Sequence, residues 1–95
     1  MIKFVVLFDE GGREVYSKRM KSFGAIYRRV FLDGSKEAIE RYRVENDLPA
    51  NAMVLNLVVY DTRLGEKKSE EWFWYSFIKE QFYGSREKAE EEEER

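Results

Sequence analysis

Two stretches of the chain are apolar at alternate positions in both phases. In Met53 to Asp61, reading M-V-L-N-L-V-V-Y-D, Met53, Leu55, Leu57 and Val59 fall on one side of an extended chain, and Val54, Val58 and Tyr60 on the other. A strand of this kind needs cover on both faces and belongs inside a sheet. Ile2 to Phe8 repeats the pattern, with Ile2, Phe4, Val6 and Phe8 set against Lys3, Val5 and Leu7. These two strands are expected at the centre of one sheet.

The segments between and after them are read from punctuation and period. Asp9-Glu10-Gly11-Gly12 is a turn signal, so Arg13 to Met20 is expected to return as the second strand of a hairpin. A third strand is placed near 24 to 32, broken from the second around Ser22-Phe23-Gly24. The rival reading makes 14–31 helical, since Val15, Tyr16, Met20, Phe23, Ile26, Tyr27, Val30 and Phe31 share an arc of about 160° on a helical wheel. Strands are preferred because a domain with only two strands, each an edge, makes a poor sheet.

Ser35 is a suitable N-cap for a helix over Lys36 to Asn46, with Glu37 and Arg41 at the favourable i,i+4 spacing and Pro49 ending it. A right-handed crossover follows if the strands on either side of that helix are parallel. After the polar connection Thr62 to Lys68, a second helix is expected over 69–83, capped by Ser69, with Glu70 and Glu71 in its first turn and Gly84 beyond its end. It would carry Trp72, Phe73, Trp74, Tyr75, Phe77, Ile78, Phe82 and Tyr83 around more than half its circumference. Residues 85–95 carry five consecutive glutamates, Glu90 to Glu94, and are expected to fray or be disordered. The expected fold is a single α+β domain over 1–84, in the order β-β-β-α-β-α, with a mostly antiparallel sheet of about four strands and two helices.

Composition narrows the chemistry. Ninety-five residues allow one core. Without cysteine or histidine the chain lacks disulfides, thiolate metal sites and the commonest general base. No apolar run approaches a membrane span and no cleavage-site pattern follows the first residues, so a soluble, cytoplasmic protein is expected. Charged residues make up 38%, and Asn and Gln together number four, a balance associated with growth at high temperature.

Candidate sites are surfaces rather than catalytic constellations. Arg13, Lys18, Arg19, Lys21, Arg28 and Arg29 interleave with Tyr16 and Tyr27, the layout of a sheet that meets phosphates with cations and bases with rings. Residues 1 to 31 hold seven of the 17 basic side chains and three of the 19 acidic ones. The sequence pI of about 5.3 argues against nucleic acid as the first choice. Trp72, Tyr75, Phe82 and Tyr83 are the kind of aromatic anchors that protein interfaces use. Asp9-Glu10 and Glu70-Glu71 are paired carboxylates without a third ligand, and neither Gly11-Gly12-Arg13 nor Gly34-Ser35-Lys36 matches a phosphate-binding fingerprint. The expectation is a non-catalytic interaction module without metal or cofactor. It would associate as a homodimer or with a partner protein through the aromatic segment, with nucleic-acid binding through 13–31 as the alternative.

Overall fold

The structure, a computed structural model, describes residues 3–61 and 65–95. Ile2 and the connection 62–64 lie outside them. The elements are β1 (Lys3–Phe8), β2 (Glu14–Met20), α1 (Ala25–Glu45), β3 (Met53–Asp61), β4 (Glu66–Ser76), β5 (Gln81–Tyr83) and α2 (Arg86–Glu93). One five-stranded sheet runs in the order β2-β1-β3-β4-β5 with every neighbouring pair antiparallel. The α+β class and the antiparallel sheet are as the sequence indicates, and the two-faced strands sit where their pattern requires. β3 is central and β1 lies beside it, with Val5 opposite Val59 and Leu7 opposite Leu57.

The β1–β2 hairpin closes through the expected turn. The Asp9 N–H donates to Arg13 O at 2.8 Å, and Gly12 adopts φ +82°, which a side chain would strain. β2 and β3 run parallel with β1 between them, so α1 is the crossover that joins them over one face of the sheet.

Two expectations about element type are corrected. The third strand placed over 24–32 is the first part of α1, whereas 14–20 is strand, so each of the two readings of 14–31 holds for half of it. Asp33, Gly34 and Ser35 lie mid-helix. Ser35 does not cap there; its hydroxyl donates to Leu32 O at 2.7 Å, leaving the helical backbone unbroken. The true N-cap, Gly24, makes no side-chain cap bond and so gives little warning in sequence.

The helix expected over 69–83 is instead β4 and β5. Its rings alternate: Phe73 and Tyr75 point to the α1 side, opposite Leu55 and Met53, while Trp72 and Trp74 point to the other side, opposite Asn56 and Val54. A strand with rings on both faces reads, in sequence, like a helix that is aromatic all round. Pairing with β3, itself apolar on both faces, decides for the strand. Ser69 lies mid-strand opposite Val59, and the serine that does cap a helix is Ser85, whose hydroxyl accepts the Lys88 N–H at 3.2 Å.

Between the sheet and α1 lies the core, formed by Val5, Leu7, Met20, Leu55, Leu57, Val59, Phe73 and Tyr75 from the strands and Phe31, Leu32 and Ile39 from the helix. Burying each large member stabilises the fold by about 1.5–3 kcal/mol. α2 packs against β4 and β5 on the opposite face, with Ala89 fully buried and Arg86 set 5.7 Å from the Trp74 ring. Residues 86–93, expected to fray, are thus helical. Ion pairs at i,i+4 (Arg86–Glu90, Lys88–Glu92) and the Lys79 ammonium on Arg95 O offset part of the repulsion within the glutamate run.

Candidate interaction surfaces

The face of the sheet away from α1 is covered by α2 only at the β4–β5 end. The remainder is an open face carrying Phe4, Val6 and Phe8 from β1, Asn56, Val58 and Tyr60 from β3, Trp72 from β4 and Arg19 from β2. Val6 and Val58 form its floor at 2% exposure each, although no helix lies over them. The surrounding rings provide the cover: Phe4 and Tyr60 sit side by side with centroids 6.4 Å apart, and the Arg19 guanidinium lies 6.0 Å from the Phe4 ring. Two shallow hollows meet at Phe8. One is lined by Phe4, Glu14, Arg19 and Tyr60, the other by Asn56, Glu70 and Trp72.

Trp72 is the exposed ring of this face, with 51% of its surface in water. Its indole N–H donates to Glu70 at 3.2 Å. Glu70 also accepts from Lys67; that bond, then the one from Trp72, hold its carboxyl below the usual range. The face therefore carries both signs of charge, Arg19 and Lys67 against Glu14 and Glu70.

The four aromatic residues expected at an interface divide between the two faces. Trp72 is on the open face, and Tyr83, opposite Trp74, is partly buried on that same side. Tyr75 and Phe82 belong to the core side, their rings 4.8 Å apart; burial pushes the Tyr75 phenol up to about 12. The basic set is more widely scattered. Tyr16 packs against Phe31, ring centroids 5.1 Å apart, beneath α1, Lys18 is on the same side at the exposed edge, and Lys21 follows β2. Arg13 lies at the hairpin turn, its Nε 3.4 Å from Asp9; Tyr27 and Arg29 are exposed on α1, and Arg28 pairs with Glu71. Of these eight residues, Arg19 is the one that strand pairing sets on the open face. Phe4, Phe8, Asn56 and Tyr60 escape a reading of local motifs, because only the pairing of β1 with β3 puts Phe4 opposite Tyr60 and Phe8 opposite Asn56.

The paired carboxylates do not converge. Glu70 and Glu71 point to opposite faces of β4, and Asp9 is engaged within its own turn. There the Asp9 carboxylate accepts the Arg13 N–H at 2.8 Å and the Tyr42 hydroxyl. Burial raises its pKa, but the Tyr42 bond, the Arg13 and Gly11 N–H groups and the Arg13 charge together bring it below the ordinary value. Gly34 and Ser35, inside α1, form no anion cradle. Among the described residues no group of three acidic side chains could hold a metal ion, and no helix is long and apolar enough to cross a membrane. No protein-family model matches the chain, and searches of curated proteins and of solved structures gave no match.

Proposed function

We propose that the chain is a non-catalytic interaction module whose contact surface is the open face of the sheet, and that a second copy of the chain occupies it. The observation that supports this reading is Trp72, half in water on a sheet face whose other rings are already packed side by side. An exposed indole beside a hydrophobic floor is the usual centre of a protein contact, because its large apolar area is gained without ordering a flexible side chain. The occupant is argued from charge. Arg19 and Lys67 on the same face as Glu14 and Glu70 allow a two-fold related copy to oppose unlike charges, whereas a strongly charged ligand would meet repulsion from one pair.

Self-association through this face gives a concentration-dependent mass in light scattering, weakened at least tenfold in Trp72→Ala with circular dichroism unchanged. A strictly monomeric chain at high micromolar concentration would overturn it. A second reading is favoured by one contact, the Arg19 guanidinium over the Phe4 ring. A cation beside neighbouring rings on an open antiparallel sheet is also how single-stranded nucleic acid is held.

A further inference from the structure

We propose that β2 is a second contact between copies, distinct from the open face although Glu14 and Arg19 border both: it pairs antiparallel with β2 of another chain about a two-fold axis through Ser17, joining two sheets into one. β2 is an outer strand of seven residues, while the strand at the other edge, β5, has three. An outer strand presents a row of unpaired N–H and C=O groups that another strand can complete. The part of β4 beyond β5 is also uncovered, but Glu66 to Glu71 there are all exposed and mostly charged.

The side chains of β2 suit its own copy. Symmetric pairing through Ser17 sets Tyr16 opposite Lys18 of the second chain on the α1 side. It also sets the second chain's Arg19 opposite Val15, the extra residue at the bulge, one position from Glu14 on the open side, and both charges occur twice across the axis. Lys18 and Arg19 would discourage an arbitrary apolar strand. A second β2 brings the carboxylate and the ring that answer them.

The helix above the edge supplies the rest of the surface. α1 runs over β2 through the Tyr16–Phe31 contact and the close approach of Gly34 to the Tyr16 hydroxyl, and on its other side Arg28 and Lys36 reach β4 and β5. By the helical step of about 100° per residue, Tyr27 and Val30 lie on the shoulder that overhangs β2, next to Ile26. These three are 47%, 52% and 77% exposed. Joining the sheets edge to edge sets the two helices side by side and turns Tyr27 and Val30 toward the second helix, with Ile26 nearer the top.

Hydrogen exchange of the full chain, read at the amides of residues 16–19 across a concentration series, tests the contact. At high micromolar concentration those amides should exchange at least tenfold more slowly than at low micromolar. Val30→Asp and Glu14→Arg, both at exposed positions and checked for folding by circular dichroism, should abolish that dependence, and Trp72→Ala should leave it intact. Exchange that does not depend on concentration, or a dependence that survives both Val30→Asp and Glu14→Arg, overturns the proposal. Loss of the dependence in Trp72→Ala alone assigns the association to the open face and overturns the edge contact as well.

Discussion

Asp9 shows how one side chain can fix the geometry at which two elements meet. It follows β1, accepts the Arg13 N–H that closes the hairpin, and accepts the Tyr42 hydroxyl from the far half of α1. Removing the hydroxyl leaves a charged, largely buried carboxylate short of a donor, so Tyr42→Phe should cost about 2 kcal/mol at neutral pH, measured by urea unfolding. The loss is pH dependent. Because the carboxyl titrates lower in the folded chain than in the unfolded one, its contribution is present above the unfolded value and disappears as pH falls through the folded value. The phenol is shifted the opposite way, raised first by its bond to Asp9, so its contribution is complete below its ordinary range and is lost as pH rises through the folded value. The gap between wild type and Tyr42→Phe should therefore be widest between these limits and should close in acid. A gap that stays constant into acid would show that the bond is not made to the ionised carboxylate.

At the scale of elements, the sequence is most legible where the pattern has one physical solution. Lys3 to Phe8 and Met53 to Asp61 must be interior strands, and the double glycine between Asp9 and Arg13 must turn. Local signals mislead where the decisive interaction is remote. Nothing near Ser35 says that it will bond back to Leu32 instead of starting a helix, and nothing near Trp72 says that its ring and that of Phe73 are needed on opposite faces. The same limit hid the surfaces: Trp72 was legible as an exposed anchor, but its neighbours Phe8 and Asn56 come from strands far away in the chain. For α2, the glutamate run suggested an unstructured end, while the burial of Ala89 makes it part of the packed structure. Ending the chain at Gly84 should lower stability by roughly 2 kcal/mol through the apolar surface uncovered on β4 and β5. In calorimetry that corresponds to a fall in Tm of about 10 °C for a domain of this size. An unchanged Tm would mean that the helix only rests on the sheet.

The whole molecule carries a formal net charge of −2 and distributes its cations over both faces. Arg28 and Arg43 are already committed to Glu71 and Glu40 within the chain. Phosphate binding draws its affinity from cations that converge, and that affinity falls steeply with salt. Titrating a single-stranded oligonucleotide at low salt, with tryptophan emission and mass followed together, should therefore change neither. Salt-sensitive quenching lost in both Arg19→Glu and Tyr60→Ala would instead put nucleic acid on the open face.

The order of the strands divides the sheet into two parts, over both of which α1 packs. β1, β2 and α1 come from the first part of the chain, and β3, β4, β5 and α2 from the second. Within the sheet they touch only along β1 and β3, six residue pairs that bring Lys3 to Asp61 and Phe8 to Asn56. Each half can organise through contacts between residues close in sequence, but this junction closes a loop of roughly fifty residues, the expensive step in a chain's search. The two-faced strands that dominate the sequence are thus also the place where the costliest loop of the fold must close.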